Sequence, residues 1–277
     1  MLELGIITSL HGNLDERFAK LKEMGLTSCQ LTNYDPDKFT DEKAQEVNEA
    51  SAKYGIRVSA IWCGWPGPKF WNFIDGPQTL GLVPEAFRFQ RVQCLEKAAR
   101  FAEKIGVTDI ATHIGFIPEN PSTSEYLSFL SCIKHLVKYY KEKGRYLLFE
   151  TGQETPVTLL RLIEDAGCEN LGINLDPANL LMYGKGNPVD AIGIFGKYIR
   201  NVHGKDGNYP TNGRSLGKEA RMGDGAVNYP ALMRALKNVG YTGPITIERE
   251  ISGDQKIADV LYAKDYLEKL YAEVYGE

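Results

Sequence analysis

Short apolar segments alternate with longer stretches of helical periodicity along the whole chain. The apolar segments predict eight strands: Leu2–Thr8, Thr27–Leu31, Ile56–Cys63, Asp109–His113, Tyr146–Glu150, Leu171–Asp176, Ile199–His203 and Ile245–Glu248. Between them, apolar residues recur at spacings of three and four, which predicts helices near 14–24, 41–53, 86–105, 124–143, 156–166, 188–197, 228–239 and 255–274. Glycines such as Gly25 and Gly55 follow several helical stretches, as is common where helices end. This alternation predicts parallel strands joined by right-handed helical crossovers.

The number of strand–helix units favours a closed barrel. Eight units in 277 residues match the size of a (β/α)₈ (TIM) barrel. An open doubly wound sheet is the alternative, but no G-x-G-x-x-G motif follows the first strand. No linker or shift of composition divides the chain, so we expect an α/β fold with a single domain over residues 1–277. Two long connections, Gly64–Pro84 and Gly204–Asn228, follow strand ends, at the face where barrel enzymes place their active sites.

Composition narrows the classes of partner. Thirty-six acidic against 32 basic residues give a net charge of -4, so no basic face is evident and nucleic acid is not expected as a partner. No membrane span is expected, because no apolar run approaches the roughly 18 residues that a spanning helix needs. The N-terminus lacks the features of a signal peptide. Five scattered cysteines without a C-x-x-C motif fit a reducing compartment, so we expect a cytoplasmic protein.

Four successive predicted strands in the second half end on a carboxylate or an imidazole. These residues are Glu150, Asp176, His203 and Glu248. Because strand ends of a barrel converge on one mouth, side chains far apart in sequence can meet there around an ion. Each residue alone has an ordinary alternative role, such as a helix N-cap at Asp176, which precedes Pro177. Glu250 competes with Glu248, since residues two apart share a strand face, but Glu248 directly closes the apolar run.

The predicted ligand set indicates which metals suit the site. Three carboxylates and one imidazole form a hard set dominated by oxygen, which favours Mn²⁺, Mg²⁺ or Co²⁺. Zn²⁺ also accepts carboxylate and histidine ligands and stays open as an alternative. We expect one divalent ion, with Mn²⁺ as the leading candidate.

Several motifs in the second half resemble those of a known superfamily. They are Phe149-Glu150-Thr, Asn174-Leu-Asp176-Pro, Val202-His203-Gly-Lys205-Asp206, Gly223-Asp-Gly225 and Gly240-Tyr-Thr-Gly-Pro-Ile-Thr-Ile-Glu248. Together they resemble the xylose isomerase-like barrels, and within them the single-metal branch related to tagatose 3-epimerase, hydroxypyruvate isomerase and inosose dehydratase. The specific motifs lie mainly between Glu150 and Glu248, and none of them specifies a substrate.

The resemblance implies a reaction and roles for the residues. It implies that Glu150, Asp176, His203 and Glu248 bind a Mn²⁺-type ion. It also implies that Glu150 and Glu248 act as an acid/base pair, one removing a proton beside a substrate carbonyl and the other returning it. The ion would polarise that carbonyl and stabilise the enediolate. The expected activity is therefore sugar isomerisation or epimerisation.

Other residues are expected to contact the substrate. They are His113, Trp65, Asn179, Arg221 and Asp206. Asn179 stands where tagatose-type epimerases have a substrate-binding histidine, a departure that leaves the orientation of the substrate carbonyl open. Arg214 is the alternative to Arg221. His113 ends the fourth predicted strand, and a core histidine is its structural alternative, whereas Gly223-Asp-Gly225 is typical of a turn rather than of a phosphate cradle.

Related functions remain open alternatives. Enolisation is shared by epimerisation, isomerisation and dehydration, so a lyase or dehydratase acting on a keto-sugar or keto-inositol would use the same site. An abasic-site endonuclease shares the superfamily fold, but four histidines and an acidic balance count against it. A non-catalytic sugar-binding barrel is the third alternative. The family often assembles through its active-site face, so we expect a homo-oligomer.

Overall fold

Eight parallel strands close into a barrel in the computed structural model, which describes residues 2–276. The barrel strands are β1 (Leu4–Ser9), β2 (Ser28–Asn33), β3 (Arg57–Cys63), β4 (Asp109–Thr112), β5 (Tyr146–Glu150), β6 (Leu171–Leu175), β7 (Ile199–Gly204) and β10 (Ile245–Ile247). Their order around the barrel is β1-β10-β7-β6-β5-β4-β3-β2, so each strand pairs with its neighbours in the chain and β1 closes against β10. A separate two-stranded antiparallel ribbon is formed by β8 (Asp206–Gly207) and β9 (Glu219–Ala220).

Helices cover the outside of the barrel. They are α1 (Leu14–Glu23), α2 (Asp41–Tyr54), α3 (Gly76–Thr79), α4 (Glu85–Lys104), α5 (Ser124–Glu142), α6 (Pro156–Ala166), α7 (Pro177–Met182), α8 (Pro188–Phe195), α9 (Tyr229–Asn238) and α10 (Asp254–Tyr275), with short 3₁₀ helices at Pro36–Lys38 and Gly196–Tyr198. The (β/α)₈ barrel predicted from the sequence is therefore confirmed. No helix in the described residues is long and apolar enough to cross a membrane.

The sequence explains where typical helices begin and end. At α6 the hydroxyl of Thr155 accepts a hydrogen bond from the amide of Thr158, Pro156 occupies the first turn, and Gly167 ends the helix at φ 65°. Each of these features satisfies or tolerates a backbone constraint specific to a helix end. Predicted and observed boundaries differ by a few residues, as at the first strand, predicted as Leu2–Thr8 and observed at Leu4–Ser9.

The two long connections contain structure that the hydrophobic pattern did not predict. α3 lies within the first, and the β8–β9 ribbon lies within the second. The first connection is held by Arg91 of α4, which is fully buried and donates hydrogen bonds to the carbonyls of Gly81 (2.5 Å), Pro68 (2.9 Å) and Pro66 (3.3 Å). A buried guanidinium with several acceptors rigidifies a segment that lacks regular backbone pairing. The connection is therefore fixed over the mouth of the barrel.

Candidate metal centre

Four side chains from separate barrel strands meet at the carboxyl-terminal mouth. Glu150 is the last residue of β5, Asp176 directly follows β6, His203 lies in β7, and Glu248 directly follows β10. One ligand atom from each residue lies within 4.8 Å of the others. Octahedral coordination at about 2.1 Å places neighbouring ligand atoms about 3 Å apart and opposite ones about 4 Å apart. The spacing of the four side chains therefore fits a single divalent ion.

The contacts of His203 provide an independent test of that fit. Its Nδ1 lies 2.9 Å from Glu248 Oε2, 3.4 Å from Glu150 Oε1 and 3.4 Å from Asp176 Oδ2. A single imidazole nitrogen donates at most one proton, so it cannot satisfy three carboxylates. Glu248 Oε2 is buried and forms no hydrogen bond among the described residues. Three carboxylates directed at one nitrogen are better satisfied by a cation, so the residues fit a metal ion.

The other imidazole nitrogen is held by two residues inside the barrel. His203 Nε2 lies 2.9 Å from Gln30 Oε1 and 3.0 Å from Asn174 Nδ2, and Gln30 Nε2 donates to Asn174 Oδ1 at 3.0 Å. When Nε2 carries the proton and donates to Gln30, the lone pair of Nδ1 faces the three carboxylates. Such a partner fixes the tautomer and orientation of a metal-binding histidine. Sequence reasoning missed Gln30, a buried polar residue within the second strand.

Asp176 has two roles that the sequence offered as alternatives. Its Oδ1 accepts the amide of Asn179 at 2.8 Å and so caps α7, while Oδ2 faces His203. The amide of Asp176 donates to Thr151 Oγ1, whose hydroxyl donates to the carbonyl of Asp176, both at 2.8 Å. Thr151 thus fixes the backbone of Asp176, and the amide of Asn179 fixes one carboxylate oxygen. The N-cap and ligand roles are therefore compatible, because they use different oxygens.

Lys205 places a buried positive charge beside the carboxylates. Its ammonium lies 3.0 Å from Glu250, 3.4 Å from Glu248 and 3.6 Å from Asp176. Burial lowers the pKa of Lys205, but Glu248 and Asp176 outweigh this effect and hold the pKa well above its usual value. Lys205 therefore remains charged and offsets part of the negative charge of the cluster. Glu250 is half exposed and reaches Lys205, whereas Glu248 lies in the cluster itself.

The two glutamates differ in their surroundings. Burial raises the pKa of Glu150, and the nearby His113 and His203 more than offset this, so that its net pKa lies below the usual value. Glu150 also accepts hydrogen bonds from Asn179 Nδ2 (3.2 Å) and the indole of Trp62. Burial acts on Glu248 in the same direction, but Lys205 and His203 hold its pKa far below the usual range. Both carboxylates are ionised near neutral pH, as ligands require.

A cavity of about 330 Å³ opens directly onto these residues. Glu150 and Glu248 line it together with Trp62, Trp71, His113, Asn179 and Tyr183, among others. His113 Nε2 lies 3.4 Å from Glu150 Oε1, and its ring packs 5.2 Å from that of Trp71. Aromatic faces beside polar groups suit a ligand with both C–H and hydroxyl surfaces. His113 and Asn179, both expected at the site from sequence, therefore lie in the cavity wall.

Two residues expected to contact the substrate, Trp65 and Arg221, lie outside the cavity lining. Trp65 is buried, with its ring centroid 6.4 Å from that of Trp62 and 5.2 Å from the guanidinium carbon of Arg91. The aromatic wall of the cavity is formed by Trp62 and Trp71 instead. Arg221 is outside the cavity lining, where it pairs with Asp224 at 2.9 Å because the two side chains are three residues apart in a tight turn. Arg214, its alternative, is exposed and also outside this lining.

Asp206 organises the loop after β7 rather than lining the cavity. Its carboxylate accepts hydrogen bonds from the amides of Gly207 (2.8 Å), Gly223 (2.9 Å), Gly225 (3.1 Å) and Val227 (3.1 Å). A Cβ at Gly225 would lie 2.1 Å from Asp206 Oδ1, so the close approach requires glycine. The Gly223-Asp-Gly225 segment is therefore a turn closed around a buried carboxylate, as the sequence favoured.

The sequence and the fold have relatives among known proteins. A protein from Methanocaldococcus jannaschii, MJ1311, is 27% identical over 208 residues, covering 70% of this chain and 66% of the relative, just under two thirds of its length. The xylose isomerase domain protein from Planctomyces limnophilus is 33% identical, with a TM-score of 0.93 over 100% of this chain and 99% of that one. A D-tagatose 3-epimerase-like protein is 22% identical, with a TM-score of 0.73 and 99% of each chain covered.

More distant structures share the fold alone. They include proteins named as a 3-keto-D-glucoside 4-epimerase, a D-psicose 3-epimerase and a probable 3-DHS dehydratase, each 16–17% identical. The family described as Xylose isomerase-like TIM barrel matches residues 18–270, which is nearly the whole chain. This match agrees with the closed barrel, and the chain therefore belongs to the xylose isomerase-like TIM barrel family.

Proposed function

We propose that this protein is a divalent-metal-dependent sugar epimerase or isomerase. The observation that carries the proposal is the convergence of Glu150, Asp176, His203 and Glu248 next to a cavity with an aromatic wall, which Glu150 and Glu248 line. Relatives of the same fold are named as epimerases of small sugars, which supports the substrate class. A hard, oxygen-rich ligand set supports Mn²⁺, with Mg²⁺, Co²⁺ or Zn²⁺ as alternatives.

The four ligands would hold the ion, which would withdraw electron density from the substrate carbonyl and raise the acidity of the adjacent C–H. Glu150 and Glu248 are the proposed acid/base pair. Both carboxylates line the cavity, and they project from β5 and β10, which are not neighbouring strands. One glutamate would remove a proton from carbon, and the other would return a proton from a different side. Because the two glutamates lie on separate strands, they can act on different faces of one carbon, as inversion requires.

Neighbouring side chains would bind and orient the sugar. His113 and Asn179 present polar groups next to Glu150, at 3.4 Å and 3.2 Å. His113 Nδ1 is buried and has no hydrogen-bond partner among the described residues, so its ring is held by packing against Trp62 and Trp71. The indoles would cover a C–H face of the sugar and exclude water from the reacting carbon. Lys205 would hold Glu248 and Glu250 in place by charge.

Solvent exchange tests the proposed chemistry. The protein would be incubated in D₂O with Mn²⁺ and a panel of ketoses, keto-glycosides and inososes, with NMR detection of deuterium at carbon. We expect incorporation next to the carbonyl, reduced about 10²- to 10⁴-fold in Glu150→Gln and Glu248→Gln. Glu164→Gln, which alters an exposed glutamate on α6, is the matched control and should exchange at the wild-type rate.

The products distinguish related reactions. Deuterium in a recovered epimer or isomer supports the proposal, whereas water loss with formation of an enone assigns the site to a dehydratase. Wild-type protein that binds Mn²⁺ but exchanges no proton with any member of the panel would contradict the proposed enolisation of these substrates.

A further inference from the structure

A second, larger cavity adjoins the one at the metal centre. It has a volume of about 720 Å³ and is lined by residues of β1, α1 and α10, so we call it the α1–α10 cleft. The two cavities share Ile7, Thr32, Tyr34, Glu248 and Glu250 in their walls. The two cavities therefore adjoin along these residues, and Glu248 lies at their boundary.

The combined space exceeds what one sugar ring needs. The metal-site cavity alone, at about 330 Å³, lies near the lower end of the range of roughly 300–1,000 Å³ for small-molecule pockets. The cleft adds more than twice that volume. A substrate that fills both cavities carries a substituent beyond its reacting sugar.

The charges in the cleft indicate the chemistry of that substituent. Arg17, Lys20 and Lys256 line it, and none of the three forms an ion pair with a carboxylate in residues 2–276. Glu16 in the same wall is also without an ion pair, whereas Glu248 and Glu250, at the boundary with the metal centre, are paired with Lys205. The metal end of the joined cavity is acidic, whereas this end carries a net positive charge.

Arg17 is positioned without losing its charge. Its Nη1 donates to the hydroxyl of Thr8 at 3.1 Å, and its Nη2 donates to the carbonyl of His11 at 2.9 Å. Both partners are neutral, so they orient the guanidinium and leave its charge available. Arg249 in the same wall differs, because Glu219 (2.7 Å) and Asp259 (2.8 Å) neutralise it.

The start of α10 adds to the positive potential. Lys256 lies in its first turn, and Gly253 provides no side-chain cap for the first amides of this 22-residue helix. The N-terminus of a helix favours negative charge through its exposed amides and its dipole. Asp254 in the same turn offsets part of this potential, but Lys256 lines the cleft and Asp254 does not.

We propose that the α1–α10 cleft binds an anionic substituent, a phosphate or a carboxylate, on the sugar that reacts at the metal centre. This inference rests on the proposed function, because it places the carbonyl end of the same substrate at Glu150 and Glu248. The opposite charges at the two ends of the cavity orient the substrate: the carboxylates repel its anionic end, and Arg17, Lys20 and Lys256 attract that end.

The proposal is tested by binding three ketoses that differ only at carbon 6. D-Fructose, D-fructose 6-phosphate and D-fructuronate would be titrated calorimetrically into the full chain, with Mn²⁺ and after chelation. At least one anionic ketose should bind about tenfold or more tightly than fructose, with an advantage that shrinks as salt is raised. The double variant Lys20→Ala/Lys256→Ala should lose about tenfold in affinity for the anionic ligand and leave fructose binding unchanged.

A matched variant controls for the loss of surface charge. Lys134→Ala/Lys138→Ala removes two exposed lysines from α5, far along the chain from the cleft, and should keep the preference for the anionic ligand. Equal affinity of the wild-type protein for all three ketoses, or a preference that survives in Lys20→Ala/Lys256→Ala, would overturn the proposal. The binding and exchange assays test the two proposals separately. A preference for the anionic ketose that needs Lys20 and Lys256, found without proton exchange, would support the anion site and contradict the proposed reaction.

Discussion

The two halves of the barrel contribute different chemistry to the same mouth. The first four strands end on neutral residues, Ser9, Asn33, Cys63 and Thr112. The later strands end on or next to the four predicted ligands Glu150, Asp176, His203 and Glu248. The first half instead supplies Trp62, Trp71 and His113, which line the same cavity as Glu150 and Glu248. The charged groups that hold an ion and the surfaces that hold a sugar are thus built on separate parts of one closed sheet.

Both halves contribute groups that compensate the buried carboxylates. A buried anion is costly unless a cation or several hydrogen bonds compensate it. Within the second half, Lys205 lies beside Glu248 and Asp176, and Asn179 donates to Glu150. The first half adds polar contacts of its own: Trp62 and His113 reach Glu150, and Gln30 reaches His203 across the barrel interior.

The largest effect is expected when a ligand of the second half is removed. Asp176→Asn and His203→Ala should each weaken Mn²⁺ binding by more than about 100-fold, beyond the range typical of outer-shell changes. Mn²⁺ affinity would be measured calorimetrically. Asn33→Ala, at the matching end of a first-half strand, should bind Mn²⁺ as the wild type does. An equal loss of Mn²⁺ affinity in Asn33→Ala would refute the assignment of the metal ligands to the second half.

Gln30 tests the contact that crosses the barrel interior from the first half to His203. Gln30→Leu removes the acceptor for His203 Nε2 and should weaken Mn²⁺ binding about 10- to 100-fold. Gln30→Glu keeps an acceptor oxygen and should recover most of that affinity. Thermal unfolding of both variants without metal separates a loss of packing from a loss of ligand orientation. Equal Mn²⁺ affinity in wild type and Gln30→Leu would show that the contact has no such role.

The aromatic wall should affect the sugar and not the ion. Trp71→Ala removes a half-exposed indole that packs against His113, and it should weaken substrate binding by about tenfold. Its Mn²⁺ affinity should equal that of the wild type. Titrating metal and substrate separately checks both statements, and a reduced Mn²⁺ affinity would place Trp71 in the metal centre instead.

The smallest effect concerns Glu154, a carboxyl of the second half that is not a ligand. Burial raises its pKa from an ordinary value of 4.5 to about 8, against a smaller lowering effect of nearby backbone amides. The unfolded chain therefore ionises first, so the free energy of unfolding should fall as the pH rises from about 5 to about 8. Glu154→Gln should remove this dependence and unfold a few degrees higher at pH 8. Parallel pH profiles in both proteins would contradict the raised pKa.

The barrel and the ligand quartet could be predicted because both depend on residues that regular strands bring into register. The hydrophobic pattern predicts each barrel strand, and Glu150, Asp176, His203 and Glu248 follow as their ends. α7 was not predicted, although Asp176-Pro177 is a typical start of a helix. Its six residues are too few to show an apolar period.

Side chains that depend on loop geometry were harder to predict. Trp65 and Trp71 are equally aromatic in sequence, and the path of the first long connection, fixed by Arg91, decides which one reaches the cavity. Arg221 was expected to bind substrate, but its partner Asp224 turns it away. Lys205 stands two residues after His203, which places it on the same strand face and was the available indication of its role.

Anomalous X-ray diffraction from crystals grown with Mn²⁺ would locate the proposed metal ion. We expect one strong anomalous peak per chain, within about 2.0–2.3 Å of oxygens of Glu150, Asp176 and Glu248 and of Nδ1 of His203. The absence of such a peak in a Mn²⁺-saturated crystal, or a peak away from these four residues, would contradict the metal centre and the reaction proposed for it.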